Sequence, residues 1–260
     1  MGRLTVRAVP VLTDNYVWLI GNPDSGEAIA VDPSVAQPVL DAVETDKLRL
    51  TQVLNTHWHP DHTGGNEAIK AATRCSITAP AEAQRVSAVD RIVAEGDRVT
   101  VAGSEAVIWD IPAHTAGHIA YYFEEERMIF VGDTMFSMGC GRLFEGTAEE
   151  MLGSLDRLAA LPGDTRVFCG HEYTEANLRF AMAVEPANSA IMDYVKRTAG
   201  QRAQGRPTLP STIELEKRVN PFLRCRHEDV KSAAERRAGR MLSTPVAVFA
   251  EIRSWKDTFR

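Results

Sequence analysis

Cysteine is scarce in this chain: four copies in 260 residues, Cys75, Cys140, Cys169 and Cys225, far apart and without a CxxC spacing. That excludes a thiolate zinc knuckle or a dense disulfide framework and leaves buried, reduced thiols as the expectation. Long apolar runs are missing too. No stretch approaches the roughly 20 residues that span a bilayer, and the start MGRLTVRAVPVLTDNY lacks the compact apolar core of a secretory signal. Met1-Gly2 opens a myristoylation pattern, but Val6 stands where that pattern requires Ser or Thr. A cytoplasmic protein with no membrane contact is expected. There is no GxSxG elbow, and no cysteine sits in a ligand or base-paired setting that would lower its pKa, so serine and cysteine nucleophile schemes have no support. Internal repeats and low-complexity tracts are absent as well.

What is present is an ordinary globular composition, 44% apolar and 25% charged, sufficient for one large core and a smaller appendage. The net charge of −6 argues against broad nucleic-acid binding. It is unevenly spread. Residues 1–173 hold 13 Lys/Arg against 25 Asp/Glu, net −12, while residues 174–260 hold 16 against 10, net +6. Such asymmetry fits either a basic surface for an anionic ligand or a solvated helical face.

Up to about residue 170 the chain repeats a short β-rich apolar run followed by a polar loop marked by Gly or Pro: YVWLI, EAIAVDP, TQVLNTH, AVIWDIPAH, IAYYF, MIFVGD and RVFCGH. YYFEEERMIFVGD reads as two strands joined by a charged turn, and VDRIVAEGDRVTVAG likewise as strands about a Gly-marked turn. Helices are expected near 38–45, 66–73 and 147–161, the last opening on a capping box of Thr147 and Glu150. From Tyr173 onward TEANLRFAMAVEP, NSAIMDYVKRTAG and EDVKSAAERRAGRM look helical, separated by the Pro-bearing connections GRPTLPST and NPF. The organisation is an α/β body, 1–172, followed by a small helical domain, 173–260.

Residues 56–65 read THWHPDHTGG, which gathers three of only seven histidines. His57 and His59 are two apart after a strand-like run, so in extended backbone both imidazoles point to one side. Pro60 turns the chain, and Asp61 and His62 then address a second point nearby, which a second ion explains economically. Gly64 and Gly65 let the backbone pass closely before the next helix. Clustering these donors without a cation brings no benefit, so HxHxDH predicts a metal site. The same arrangement, a strand with a polar residue at its end, supplies His114 from AVIWDIPAHTAGH, Asp133 from MIFVGDTMF and His171 from TRVFCGHEYT. His118 is expected to support the site or pack at a helix start, and His227 to lie on the surface. Asp32 either accepts a hydrogen bond from a ligand imidazole or caps the turn after EAIAVDP.

THWHPDHTGG, HTAGH, GDT and GHEYT together resemble the metallo-β-lactamase superfamily signature, whose fold is an αββα sandwich with a dinuclear site. The resemblance implies that His57, His59 and His114 bind one ion, that Asp61, His62 and His171 bind the other, and that Asp133 bridges them. Zinc is the first choice, with iron or manganese as alternatives. VPVLTDNYVWLI, GCGRLFEGTAEEM, CGHEYTEANLRFAMAVEP, PTLPSTIELEKRVNPFLR and the terminal RSWK further resemble the glyoxalase II (hydroxyacylglutathione hydrolase) family nearly end to end.

That family implies hydrolysis of S-D-lactoylglutathione, and of related 2-hydroxyacyl thioesters, to D-lactate and glutathione in methylglyoxal detoxification. A hydroxide held between the two ions, with Asp61 and Asp133 holding it, would attack the thioester. The tripeptide would be held by Arg142, Tyr173, Arg253 and Lys256. Arg142 stands where relatives commonly carry lysine, and Phe144 where some carry tyrosine; cationic binding survives the first change, and the second removes a hydroxyl contact. If RSWK is helical, Arg253 and Lys256 share one helix face. Two other readings stand: a mononuclear-iron glutathione persulfide dioxygenase of the same fold, opposed by GHEYT and the basic C-terminal region, and a non-catalytic glutathione-binding module. The chain is expected to be a monomer.

Overall fold

The computed structural model describes residues 4–259; the Met1-Gly2 myristoylation reading falls outside them. The chain forms two compact units. The first comprises residues up to 111 with 117–132 and 168–171; the second comprises 112–116, 133–167 and 172 onward.

Six strands make the first sheet of the first unit, in the order β1 (Thr5–Val11), β2 (Asn15–Asn22), β3 (Glu27–Val31), β4 (Arg49–Leu54), β5 (Ser76–Ala79) and β6 (Arg91–Ile92). β1 to β3 pair antiparallel across short turns. β3 to β6 run parallel, which requires crossover connections, and helices α1 (Ala36–Thr45), α2 (Pro60–Thr63) and α3 (Asn66–Thr73) lie in them. The second sheet is an antiparallel meander of β7 (Arg98–Val101), β8 (Ser104–Asp110), β9 (Ile119–Phe123) and β10 (Met128–Gly132). The chain then makes a separate hairpin, β11 (Met135–Phe136) and β12 (Gly139–Cys140), before β13 (Arg166–Cys169), the neighbour of β10.

The eight residues of β2 are all buried, as expected of a strand covered on both faces. Val17 and Leu19 join Val39, Ala42 and Val43 of α1 and Ile69 of α3 in one apolar cluster. Trp18 points the other way: its ring meets Phe168 edge-on at 4.9 Å, and its indole N–H donates to the Cys169 carbonyl at 2.9 Å. Tyr121 ties the sheets together at the other end, its hydroxyl lying 2.9 Å from the Asn55 carbonyl and 3.1 Å from that of Thr78. Burial holds the phenol pKa well above its ordinary value, so it remains a donor.

The YYFEEERMIFVGD hairpin forms as its sequence suggests, with Phe123 opposite Met128. VDRIVAEGDRVTVAG is corrected: its two strands exist but do not pair. β6 runs parallel to β5, β7 pairs with β8, and the Gly96 N–H bonds Ile108 instead of closing a hairpin. Asp90 ties the start of β6 to β5: its carboxylate accepts the Ile77 N–H at 2.7 Å and its own N–H donates to the Ile77 carbonyl at 2.9 Å.

In the second unit α4 (Ala148–Ala159) opens on the expected capping box: Thr147 accepts from the Glu150 N–H, and Glu150 accepts from the Thr147 N–H. α5 (Thr174–Val184), α6 (Ser189–Ala203) and α8 (Glu228–Ala238) follow the anticipated helical stretches; α9 (Pro245–Thr258) adds a helix that the sequence alone leaves open, and RSWK lies within it. α7 (Ile213–Val219) adds a helix between the two Pro-bearing connections, capped by the Thr212 hydroxyl, after β14 (Ser211–Thr212) pairs with the start of β13. Phe222 packs against Phe180 and Phe249 at the centre of these helices. All four cysteines are buried and free, and burial lifts the Cys140 thiol to about 11. Among the described residues no helix is long and apolar enough to cross a membrane.

Tyr121→Phe removes the hydroxyl between the two sheets while keeping the ring. The expected loss is about 1 to 2 kcal/mol of unfolding free energy in urea denaturation; an unchanged midpoint would show that the bond contributes nothing.

Candidate metal centre

The metal-motif segment begins where β4 ends. Pro60 occupies the first turn of α2, where its missing N–H costs nothing, so the chain turns directly after His59. The expected divergence of donors follows. His57 Nε2 and His59 Nδ1 lie 3.0 Å apart, aimed at a common point. On the far side of the turn, Asp61 Oδ2 is 3.6 Å from His62 Nε2 and 3.4 Å from His171 Nε2. Asp61, His62 and His171 each offer an atom within 4.8 Å of the others, a spacing that can hold an ion. Gly65 permits the close passage anticipated there, since a Cβ would stand 2.8 Å from the Pro33 carbonyl oxygen.

The backs of these imidazoles are as informative as their fronts. His57 Nδ1 lies 3.0 Å from the Thr56 hydroxyl, which itself donates to Asp32 Oδ2 at 2.7 Å. His62 Nδ1 lies 3.1 Å from Asp32 Oδ2 directly. His171 Nδ1 lies 2.8 Å from Asp14 Oδ1. In the His171 and His57 rings an oxygen acceptor at Nδ1 leaves the Nε2 lone pair for the front, the arrangement that ligand histidines need, and at His62 the Asp32 carboxylate stands beside Nδ1. The residues therefore fit divalent cations: borderline nitrogen donors, a hard carboxylate and buried rings with oxygens behind them. Asp32 takes the role of imidazole acceptor, and it also accepts the Thr56 N–H at 2.8 Å.

His118 supports the site and starts no helix. Its ring stacks on His57 with centroids 4.6 Å apart and planes 19° from parallel, and β9 follows it directly. Gly132, at φ +47°, makes room for this stack, because a Cβ there would sit 2.2 Å from the Thr56 hydroxyl and 2.8 Å from the His118 ring.

His114 and Asp133 belong to the second unit. His114 Nε2 is 3.5 Å from Asp133 Oδ2, and His114 Nδ1 is 3.0 Å from the Arg142 carbonyl, so this ring too has an oxygen acceptor behind it. Phe144, 60% exposed, lies against the His114 ring with centroids 5.2 Å apart.

The four residues expected to hold a tripeptide also lie in the second unit, in unequal circumstances. The Arg142 side chain is exposed, with Nε 4.0 Å from Asp257. Tyr173 sits at the N-terminus of α5 with its ring edge-on to Phe136 at 5.1 Å. Arg253 and Lys256 lie three apart on α9. Arg253 is buried, donating to the Cys140 carbonyl at 2.8 Å and to Asp257 at 3.0 Å. Lys256 is half-buried and lies 5.5 Å from the centre of the Phe180 ring. Burial first, and then the Arg253 and Arg179 charges, push its ammonium down to about 8.

Asp14, Asn15 and Thr56 were not legible as site residues. The Asn15 amide donates to Asp61 Oδ2 at 3.1 Å and to the Asp61 carbonyl at 3.2 Å, fixing that carboxylate. The available signal was TDNY itself, two short polar side chains at the tight β1–β2 turn.

Comparison with known proteins assigns the chain. Residues 12–171 match the model of the metallo-beta-lactamase superfamily, and residues 172–259 match that of the hydroxyacylglutathione hydrolase C-terminus. A hydroxyacylglutathione hydrolase of Rhodospirillum rubrum is 48% identical over 260 residues, covering 100% of both chains. One of Methylococcus capsulatus is 46% identical over 258 residues, covering 99% of each. The crystal structure of ETHE1 from Myxococcus xanthus shares the fold, with TM-score 0.68 and 25% identity over 98% of this chain and 91% of that one. The αββα architecture and its helical C-terminal region are thereby those of this superfamily, and the chain belongs to the hydroxyacylglutathione hydrolase (glyoxalase II) family.

Proposed function

We propose that the protein hydrolyses S-D-lactoylglutathione, and related 2-hydroxyacyl-glutathione thioesters, to the hydroxy acid and glutathione. The observation that carries the reading is the set of buried imidazoles His57, His62 and His171, each with an oxygen beside Nδ1 and the last two facing the Asp61 carboxylate, in a chain whose full-length relatives are named for this activity. In this reading His57, His59 and His114 would hold one ion and Asp61, His62 and His171 a second, with Asp133 as the ligand that would be shared between them. Asp133 follows Gly132 directly in the chain, and Gly132 is packed against Thr56 and His118, which supports its membership. When bound, such ions supply Lewis acidity and an acidified water, with zinc the first choice and iron or manganese the alternatives.

The protein's own contribution is orientation. Asp61, held by Asn15, and Asp133 fix the position of the attacking water. The thioester needs no proton for its leaving group, because a thiolate departs readily. Residues 1–172 thus carry the chemistry and residues 173–260 hold the substrate. Arg142, Tyr173, Arg253 and Lys256 receive the tripeptide. Burial first, and then the neighbouring Arg253 and Arg179 charges, depress the lysine, and a bound carboxylate offsets the part due to those charges. The dioxygenase and non-catalytic readings are not favoured by the relatives' names.

Mixing purified, metal-analysed protein with S-D-lactoylglutathione should abolish the thioester absorbance band, with two ions counted per chain. Metal-loaded protein that leaves the band intact would overturn the assignment, and one iron per chain would favour the dioxygenase. Asp133→Asn should lose metal and turnover together; full metal content in that variant contradicts a bridging role. The Lys256 charge attracts the substrate carboxylate below pH about 8 and is lost above it, so KM should rise as pH passes that value. Lys256→Ala should flatten the rise, and parallel KM profiles in the two proteins would remove Lys256 from the binding set.

A further inference from the structure

The β11–β12 hairpin has two residues in each strand, paired antiparallel, and its backbone is also held by buried side chains from the C-terminal helices. Glu216 of α7 accepts the Met138 N–H at 2.8 Å. Asn220, at the end of α7, donates to the Gly139 carbonyl at 3.0 Å and the Phe136 carbonyl at 3.3 Å, and to Glu216 itself at 2.9 Å. Asn177 of α5 donates to the Ser137 carbonyl at 3.0 Å. Tyr194 of α6 lies 3.2 Å from the Ser137 hydroxyl, and Arg253 of α9 donates to the Cys140 carbonyl. Glu216 and Asn220 are fully buried, and Asn177 and Tyr194 are each 3% exposed.

The hairpin matters for what lies at its two ends. Asp133 precedes it, and Arg142, whose carbonyl sets the back of the His114 ring, follows it. Met138 at its tip has φ +57°, a conformation that costs a non-glycine residue about 1 to 2 kcal/mol and persists only when its surroundings impose it. Glu216 is the group that receives the N–H of this residue. Its other oxygen accepts from the Ser211 hydroxyl.

We propose that Glu216 and Asn220 are positioning residues for the metal centre, acting through the 135–140 hairpin to fix Asp133 and the His114 ring. The inference rests on the reading of Asp133 and His114 as ligands. It assigns the helical region a task besides substrate binding: its buried polar groups set the geometry of two metal donors. Gln in place of Glu216 can keep its carbonyl on Met138 and Asn220 and present its amide to the Ser211 hydroxyl, which is able to accept. Ala cannot.

Cobalt(II) is the probe, titrated into metal-free protein against a competing chelator, with the visible bands recorded. Glu216→Ala should bind cobalt about tenfold to a hundredfold more weakly, the range for loss of a group behind a metal ligand, with altered bands. Glu216→Gln should stay within about twofold of the parent, since the bond to Met138 survives. Folded Glu216→Ala with parental affinity and bands overturns the inference, as does a Glu216→Gln protein as weak as the alanine variant. If Glu216→Ala does not fold, Asn177→Ala loosens the same hairpin at Ser137 and is read the same way. Asp133→Asn separates the two claims: parental cobalt affinity there overturns the ligand reading and this inference with it. Loss in Asp133→Asn beside parental affinity in Glu216→Ala overturns the positioning role alone.

Discussion

The Asp32 carboxylate is buried at the end of β3 and is matched by donors on each side: the Thr56 N–H, the Thr56 hydroxyl and His62. A buried carboxylate without such donors would be strongly unfavourable, so its presence fixes where Thr56 and His62 must be. Through the Thr56 hydroxyl it also sets His57. One anion thereby stands behind two imidazoles on opposite sides of the Pro60 turn, His57 through the Thr56 hydroxyl and His62 directly. Asp14 does the same for His171, and a backbone carbonyl does so for His114. A histidine left to rotate presents a lone pair in no fixed direction; one held from behind is already oriented before a cation arrives.

This arrangement needs a rigid frame, and the sheets provide it. Asp32 itself has φ +53°, a strained conformation tolerated because aspartate accepts it more readily than most residues and because its N–H is held by the Leu54 carbonyl at the end of β4, at 2.9 Å. The stack of His118 on His57 needs the missing side chain of Gly132. Trp18 and Tyr121 hold the two sheets at a fixed separation by hydrogen bonds as well as by packing. The polar site lies where strands end, because there the backbone leaves the apolar interior and polar side chains can be supported.

The second unit is built on a different balance. The cations in excess over residues 174–260 would repel one another if left unpaired, and the structure pairs many of them: Arg224 with Glu185, Arg226 with Asp156, Arg237 with Glu251. Arg253 is paired with Asp257 on the same helix, and Lys256 beside it is lowered first by burial and then by the Arg253 and Arg179 charges. Buried polar side chains of the C-terminal helices also hold the backbone of one small hairpin.

HxHxDH was legible in the sequence because its donors are neighbours in the chain, and the strand-end positions of His114, Asp133 and His171 followed from apolar runs that stop at polar residues. The capping box at Thr147 and most helices were legible for the same local reason, while β6 and β7 defeated local reading, since strand pairing is chosen by distant partners. Asp14 and His171 are 157 positions apart, and nothing in TDNY indicates which imidazole it serves; Asp32 left two roles open until Thr56 and His62 stood beside it. The sequence by itself determined which donor atoms exist, which are adjacent and where strands deliver them. Only the tertiary structure decided which oxygen stands behind each imidazole and which helices grip the 135–140 hairpin, because those contacts join residues whose separation along the chain carries no trace of their proximity.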